Sequence, residues 1–208
     1  MNKNKTLLII VLVFVLLLGG AYVLYNRLAQ DAAPDQLSVQ GGAEAQTAPQ
    51  SEKPQQNTGG SGDESTEPEK ILAPDFTVYD SEGNEVHLSD FTGKPIVLNF
   101  WASWCGPCKM EMPDFDDAYA ELGEDVHFLM VNMTSGRETL ESATSFIEEQ
   151  GYSFPVYYDT DADAAMTYGI YSLPTTLFID AEGYGIAQAT GAINAETLQR
   201  GIDMILTE

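Results

Sequence analysis

The two cysteines of the chain, Cys105 and Cys108, are the residues best suited to carry chemistry. They lie within the stretch "NFWASWCGPCKMEMPDF", which follows an apolar run. A zinc site would need four ligands, and the other soft or imidazole candidates, His87 and His127, are far away in the sequence. Attachment of a c-type haem needs a histidine directly after the second cysteine, where this chain has Lys109. The sequence therefore predicts no metal or haem at this pair.

A purely structural disulfide is also disfavoured, since a loop with two intervening residues restricts the unfolded chain very little. We therefore interpret the pair as a redox centre. At a strand-to-helix turn, one sulfur would lie at the helix N-terminus, where unpaired N–H groups and the helix dipole favour a thiolate. The other sulfur would lie one turn deeper. Pro107 suits the first helical turn, because its missing N–H is not needed there.

Strands and helices must position this pair, and their signals begin at Ile71. The stretch "DFTVYDSEGNEVHLSDF" predicts a hairpin with its turn at 81–84. The apolar runs "KPIVLNFWA" and "DVHFLMVNM" are typical of buried parallel strands. Between them we expect a helix that starts near Cys105, contains Pro113 and ends near Gly123.

The second half of the chain continues the alternation. Ser135 and Glu138 form a capping-box pattern for a helix that reaches Gln150. A short strand "PVYYD", a short helix "ADAAMTYG" and two strands, "TTLFID" and "GIAQAT", follow. Asn194 is placed to cap a last amphipathic helix that ends near Leu206. The prediction is an α/β fold in which helices cover both faces of a mixed sheet.

Three alternating acidic residues resemble the start of a calcium loop: Asp159, Asp161 and Asp163. The sixth position of that loop needs glycine and holds Ala164, and the twelfth needs a bidentate glutamate and holds Ile170. We therefore predict a strand exit followed by a helix N-cap instead of a calcium site.

Composition and charge limit the possible partners. The chain has 208 residues, of which 44% are hydrophobic, which is enough for one folded domain. Its formal net charge of -23 is opposite to the basic footprint that nucleic acids and anionic lipid headgroups require. We expect no nucleic-acid partner.

The N-terminus carries a membrane signal. Lys3 and Lys5 precede an uncharged segment, 6–25, whose length suffices for a helix that crosses the bilayer. The lysines orient the chain start inward, so the rest would lie outside the cell membrane. The alternative is a cleaved signal peptide, because small residues at 19–21 follow the most apolar part. No cysteine follows the apolar run, which excludes lipoprotein attachment at that point.

These patterns divide the chain into three parts. Residues 1–28 are predicted to be a membrane anchor, with retention of the segment favoured over cleavage. Residues 29–70 are rich in Gln, Pro, Gly, Ser and Glu and nearly lack large apolar side chains, so we expect a disordered extracytoplasmic linker that gives the domain reach. Residues 71–208 form the folded domain.

The stretches "FWASWCGPCKMEMP" and "YSLPTTLFID" together resemble the thioredoxin superfamily. Within it, the chain is similar to membrane-anchored TlpA/ResA-like extracytoplasmic thiol-disulfide oxidoreductases with an AhpC/TSA- or redoxin-like domain. The resemblance covers 71–206. It implies a thioredoxin-like fold with an added N-terminal hairpin and an insertion around "TSGRETLESATSFIEEQGYSFPVYYD" before the cis-proline loop.

The resemblance also implies roles for individual residues. Cys105 would be the exposed nucleophile that attacks a partner disulfide, and Cys108 would resolve the mixed disulfide. Pro174 matches the cis-proline opposite the pair; the alternative is an ordinary trans proline at a strand start. The backbones of Leu173 and Thr175 beside it would then pair with an extended substrate segment.

The surroundings of the pair differ from those in cytosolic thioredoxins. Trp104 resembles the aromatic lip of the family's active site, whereas Trp101 is expected in the core. Asn99 stands where those proteins carry a buried aspartate, and an amide cannot accept the proton that Cys108 must lose. Glu111 shares a helix face with Cys108, and the ResA-like subgroup has a glutamate there. We expect Glu111 to be the proton acceptor, with a raised pKa; the alternative is a solvent-facing glutamate without catalytic importance.

The Gly-Pro pair between the cysteines resembles that of reducing thioredoxins, which favours a protein-disulfide reductase without a cofactor. Outside the membrane no glutathione pool supplies electrons, so a membrane thiol carrier of the CcdA/DsbD type would re-reduce it. Candidate substrates are apocytochrome c, during cytochrome c maturation, and other oxidised extracytoplasmic proteins. We expect a monomer. A disulfide oxidase or isomerase and a non-enzymatic redox-sensing or binding module are the alternatives.

Overall fold

One mixed sheet organises the part of the chain that the structure, a computed structural model, describes: residues 37–39 and 70–206. Its strands, in chain order, are β1 (Ser38–Val39), β2 (Ile71–Leu72), β3 (Thr77–Tyr79), β4 (Glu85–His87), β5 (Ile96–Trp101), β6 (His127–Asn132), β7 (Val156–Tyr158), β8 (Thr175–Ile179) and β9 (Tyr184–Thr190). They lie side by side in the order β1-β9-β8-β5-β6-β7-β3-β4, and β2 pairs with β9 as well. β5, β6 and β7 are parallel to one another, β8 is antiparallel to β5, and β9 is antiparallel to β8.

Four helices and one 3-10 turn accompany these strands within the described ranges. They are α1 (Gly106–Leu122), α2 (Leu140–Gln150), α3 (Asp163–Thr167), α4 (Ala195–Leu206) and the 3-10 turn Leu88–Phe91. The helix predicted to start near Cys105 and end near Gly123 is confirmed as α1, with Pro113 inside it.

The central strand β5 is buried along its whole length because the sheet is covered on both faces. On one face Val97 and Trp101 pack in a cluster with Phe115 of α1 and Ile202 of α4. On the other face Leu98 and Phe100 belong to a second cluster, together with apolar residues of β3, the 3-10 turn and α3. This arrangement explains the continuous apolar run of β5 and confirms the predicted mixed sheet between helices.

The predicted hairpin is confirmed as β3 and β4, and it extends the sheet at the edge next to β7. The predicted insertion supplies α2 and β7 between β6 and the proline loop.

The start of α2 differs from the prediction. Thr139 is its N-cap and accepts the N–H of Ser142 at 3.1 Å, whereas Glu138 is buried and bonded elsewhere. The capping pattern that begins at Ser135 was therefore wrong, since Thr139 provides the same type of cap four residues later.

The three alternating aspartates hold local structure. Asp159 accepts the N–H groups of Ala164 and Ala165 at the start of α3, at 3.2 and 2.8 Å. Asp161 accepts the hydroxyl of a tyrosine, and Asp163 accepts a backbone N–H, both in β3. The N-cap of α3 is Ala162, whose side chain makes no capping bond, so none of the three aspartates is the N-cap residue, and Asp159 instead accepts the first N–H groups from outside the helix. The other two carboxylates tie the start of α3 to the hairpin.

Residues at two places in the chain add strands to β9. Ser38 lies within the range predicted to be a disordered linker, yet it pairs with Gln188, and its hydroxyl donates to the Gln188 carbonyl at 3.1 Å, so the prediction of disorder is wrong for this strand. Further along the chain, Leu72 pairs with Tyr184. The predicted anchor 1–28 and most of the linker lie outside the described residues. Among the residues described, no helix combines the length and the apolar character that a membrane crossing requires.

Candidate active site

The two cysteines form a disulfide at the N-terminus of α1, with their Cα atoms 5.3 Å apart. Strand β5 ends at Trp101, and a short turn brings Cys105 to the N-cap position of the helix. The sulfur of Cys105 accepts the backbone N–H of Cys108 at 3.2 Å, so it receives one of the N–H groups that a helix start leaves unpaired. Pro107 lies in the first turn, as predicted. In the reduced protein the same N–H and the helix dipole would favour the Cys105 thiolate.

The two cysteines differ in solvent exposure. Cys105 is 4% exposed and Cys108 is fully buried. The expected exposed nucleophile is thus covered almost entirely in the oxidised form, yet it keeps the accessible surface that Cys108 lacks. This asymmetry agrees with an attacking Cys105 and a resolving Cys108.

Glu111 lies in the interior, 2% exposed, so the alternative of a solvent-facing side chain is wrong. One carboxylate oxygen accepts the side-chain N–H of Asn99 at 2.9 Å, and the other accepts the backbone N–H of Ile193 at 2.9 Å. Burial raises the pKa of Glu111 to about 7, although both hydrogen bonds oppose the rise. The predicted raised pKa is confirmed.

Asn99 connects Glu111 to the sheet. Its amide nitrogen donates to Glu111 and also to the hydroxyl of Thr176, at 3.0 Å. Its carbonyl oxygen is buried and has no hydrogen-bond partner among the described residues. The residue that replaces the thioredoxin aspartate therefore holds the glutamate in place. No local sequence pattern indicates this contact, because Asn99 lies on β5 and Glu111 on α1.

The proline loop adjoins this site. The Leu173–Pro174 peptide is cis, as the resemblance implies. Thr175 pairs with Phe100 near the end of β5, which places the loop at the sheet end from which the chain continues to the cysteines.

The main chain of the loop is only partly available to a substrate. Thr175 is 3% exposed and has a strand on either side, so its backbone is enclosed by the sheet. The Pro174 carbonyl accepts a backbone N–H from Gly191 at 2.8 Å. The backbone of Leu173 makes no hydrogen bond within the described ranges. Of the residues predicted to pair with a substrate, Leu173 therefore has the available main chain.

A buried carboxylate that the sequence did not reveal fixes the turn before the cysteines. Glu138 accepts the backbone N–H and the hydroxyl of Ser103, each at 2.8 Å, and the side-chain N–H of Asn132 at 2.9 Å. Trp104, the next residue, is 45% exposed, whereas Trp101 is buried, and both placements agree with the predictions. The sequence pattern predicts for Glu138 only a role in a helix cap, whereas its carboxylate binds Ser103 and Asn132.

No group of three or more His, Cys, Asp or Glu side chains within the described ranges is arranged to hold a metal ion. The histidines contact other residues: His87 lies 3.2 Å from the hydroxyl of Thr77, and the His127 ring packs edge-on against Phe91. The features that the structure places at this site are the Cys105–Cys108 disulfide, the buried carboxylate of Glu111 and the cis-proline loop.

Known proteins are similar to this chain in sequence and in fold. Residues 71–184 match the AhpC/TSA family. A protein named thiol-disulfide oxidoreductase ResA from Bacillus thuringiensis subsp. konkukian is 35% identical over 134 residues, which span 64% of this chain and 76% of the relative.

Solved structures agree with this match. The exposed lipoprotein thioredoxin Etrx1 of Streptococcus pneumoniae has a TM-score of 0.56 and 31% identity, and the match covers 62% of this chain and 98% of the other. StoA from Bacillus subtilis has a TM-score of 0.56 and 26% identity, with 63% and 98% covered. The chain therefore belongs to the AhpC/TSA family and is a thiol-disulfide oxidoreductase with a thioredoxin-like fold.

Proposed function

We propose that this oxidoreductase is a membrane-tethered reductase of extracytoplasmic protein disulfides. The proposal rests chiefly on one observation: a disulfide at a helix N-terminus shares that helix with a buried glutamate whose pKa lies near neutrality. The apolar segment 6–25 and the polar segment 29–70 support a single-pass anchor and a linker. The exposed lipoprotein thioredoxin among the similar structures supports action outside the membrane.

The reaction begins with the reduced protein. The thiolate of Cys105 attacks one sulfur of the partner disulfide, the partner's S–S bond breaks, and the other partner sulfur leaves as a thiolate that takes up a proton. A mixed disulfide now joins Cys105 to the partner. Cys108 then loses its proton and attacks the sulfur of Cys105, which releases the second partner thiolate. Two electrons pass to the partner, and the protein keeps the Cys105–Cys108 disulfide.

Glu111 is the acceptor we propose for the Cys108 proton. The two residues lie three apart on α1 and therefore share a face of the helix. A carboxylate has about four lone pairs, so the bonds from Asn99 and Ile193 leave capacity for another proton. A pKa of about 7 suits a general base that works near neutral pH, because a large fraction is ionised and its proton affinity is high.

The proposed location outside the membrane supports a choice of substrate and electron donor. We propose that a disulfide-bearing segment lies extended along Leu173, whose backbone groups are available for strand addition. Apocytochrome c, with its haem-binding cysteines, is the substrate we favour. A membrane thiol carrier of the CcdA/DsbD type would return electrons to the Cys105–Cys108 disulfide, since extracytoplasmic space has no glutathione pool. The Gly-Pro pair between the cysteines supports the reducing direction.

Trapping in membranes tests this function. The full-length protein with Cys108→Ala should accumulate a mixed disulfide through Cys105, because no second sulfur can resolve it. The matched control Cys105→Ala should trap nothing, since Cys108 is fully buried. Identification of the trapped protein names the substrate. An equally low yield from both variants, or a strongly oxidising equilibrium potential of the wild-type pair, would contradict a reductase.

The role of Glu111 has its own test. In Glu111→Gln the first attack by Cys105 should keep its rate, while resolution by Cys108 should slow about 10- to 100-fold at pH 7, because general-base assistance is lost. Rapid acid quenching would show the mixed disulfide building up. Unchanged resolution, together with unchanged thiol titration, would remove Glu111 from the mechanism.

A further inference from the structure

A guanidinium group lies on the exposed aromatic ring beside the disulfide. The Cζ atom of Arg137 is 3.8 Å from the ring centre of Trp104, which directly precedes Cys105 in the chain. A guanidinium over a tryptophan face is attracted by the ring, and this contact uses none of the five N–H donors of the arginine. Both side chains are exposed, so a partner that reaches Cys105 meets them.

The buried carboxylate next to Arg137 holds this arrangement. Glu138 bonds to the N–H and hydroxyl of Ser103, and through Asn132 it is also fixed to the end of β6. Ser103 precedes Trp104 and Glu138 follows Arg137, so the bonds clamp the two loops one residue away from the stacked pair. The guanidinium is therefore positioned before any partner arrives, which lowers the entropy lost on binding.

The charge of Arg137 stands out against an acidic chain. The net charge is -23, and within residues 70–206 the lysines and arginines are Lys70, Lys94, Lys109, Arg137 and Arg200. Arg137 makes no ion pair or hydrogen bond with any described residue; its neighbour Glu138 is directed to Ser103 instead. A guanidinium with unused donors in a fork geometry is suited to a carboxylate from another molecule.

We propose that Arg137, stacked on Trp104, binds an aspartate or glutamate side chain of the substrate protein next to its reactive disulfide and so selects substrates. This inference rests on the proposed reductase function and adds a specificity determinant to it. The general negative charge of the domain repels acidic proteins, whereas Arg137 favours a carboxylate at one position relative to Cys105. Recognition would therefore depend on where the acidic residue lies, not on overall charge.

Matched disulfide peptides test the proposal. Three peptides with one intramolecular disulfide would carry Glu, Gln or Lys at each position flanking the cysteines. The full-length protein, in mild detergent, would first be reduced and freed of reductant and then mixed with one oxidised peptide. After acid quenching, the oxidised and reduced forms of the peptide would be separated and measured. We expect wild type to reduce the Glu peptide about three- to fivefold faster than the Gln peptide at low salt, the range of an exposed ion pair, and the Lys peptide to be slowest.

Substitutions then assign the preference to one side chain. Arg137→Gln should lose the preference for the Glu peptide over the Gln peptide, because only the general negative charge then acts on the substrate, and Arg137→Glu should prefer the Lys peptide. Lys94→Gln removes the same charge just before β5, at the far end of the strand from the disulfide, and should keep the preference for Glu. High salt should weaken the wild-type preference, since both groups are exposed.

Several results would overturn the inference. If wild type does not distinguish the peptides, or if Arg137→Gln slows all of them equally, Arg137 does not select a carboxylate, although the reductase function stands. If Lys94→Gln also loses the preference for the Glu peptide, the preference depends on overall charge and not on Arg137. If wild type reduces none of the peptides, the reductase function and the inference both fall.

Discussion

At the scale of single residues, Glu111 shows how burial and hydrogen bonding compete. Removal from water disfavours the charged carboxylate, whereas the N–H groups of Asn99 and Ile193 favour it. Burial is the larger effect, so the pKa of Glu111 rises to about 7. A group that titrates close to neutral pH can take a proton in one step and release it in another.

The raised pKa predicts a stability that depends on pH. The pKa of Glu111 is about 7 in the folded protein and near the ordinary 4.5 when unfolded, so between these values the folded form binds more protons. The protonation of Glu111 therefore contributes to the unfolding free energy in full below about pH 4.5, and this contribution is lost as the pH rises through 7. Relative to Glu111→Gln, oxidised wild type should lose up to about 3 kcal/mol of unfolding free energy between pH 4.5 and pH 8.

Urea unfolding of both proteins at several pH values measures this difference. The glutamine variant loses one hydrogen-bond acceptor, which gives an offset that does not change with pH, and the other titrating groups cancel in the comparison. Parallel curves of unfolding free energy against pH for the two proteins would show that Glu111 is not responsible.

At the scale of elements, the hydrogen bonds of the Glu138 carboxylate connect the turn after β5, the end of β6 and the loop before α2. Its acceptor oxygens serve three donors, two of them on Ser103. Removing the carboxyl group would leave the buried side-chain N–H of Asn132 unpaired and would free the turn that leads to Cys105. Glu138 thus links the fold to the geometry of the active site.

These hydrogen bonds predict that two substitutions of Glu138 differ in their effects on stability and activity. Glu138→Ala should lower the unfolding free energy by about 3 kcal/mol, because buried donors lose their acceptor, and should slow disulfide reduction. Glu138→Gln should stay within roughly 1 kcal/mol of wild type, since an amide can accept two of the bonds and donate to the Ser103 hydroxyl. Chemical denaturation and a peptide-reduction assay measure both effects. Equal stability of the two variants would show that the hydrogen bonds contribute little.

The packing of α4 on β8 predicts an unfavourable alanine in a helix. A Cβ atom at Gly201 would collide with the ring of Phe178, which is fully buried. Alanine gains about 1 kcal/mol in helix propensity, but the clash is larger, so Gly201→Ala should destabilise by roughly 1–3 kcal/mol overall. In a Phe178→Leu background the added methyl has room, and the same substitution should become neutral or favourable. An equal loss in both backgrounds, measured by thermal unfolding, would contradict this explanation.

At the scale of the molecule, local patterns predicted the elements and long-range contacts decided the details. The apolar run of β5 and the Cys-Gly-Pro-Cys turn identified a strand followed by a helix, because both signals lie within a few residues. The hydrogen bonds that hold the buried carboxylate of Glu111 come from Asn99 and from the backbone of Ile193, which lie on other elements, so no local pattern predicts them. The stacking of Arg137 on Trp104 likewise depends on how two loops meet.

The charge of the whole chain leads to a prediction about salt. A net charge of -23 on 208 residues means that acidic groups repel one another, and folding brings them closer together. Asp114 shows the effect locally, since burial and the nearby charge of Asp117 both raise its pKa. Raising sodium chloride from about 0.01 M to 0.15 M shortens the Debye length from roughly 30 Å to 8 Å, which screens most of this repulsion.

We therefore expect the melting temperature to rise over that salt range by roughly 2–4 °C, which corresponds to about 1 kcal/mol for a protein of this size. Differential scanning calorimetry of the oxidised protein at fixed pH measures the rise. Asp117→Asn should start from a higher melting temperature at low salt and gain less from added salt, because one source of repulsion at Asp114 is gone. Sucrose at equal osmolality separates screening from exclusion of the solute from the protein surface. A melting temperature that stays level or falls with salt would mean that folding relieves the repulsion, so that the acidic groups lie farther apart in the native protein than in the unfolded chain.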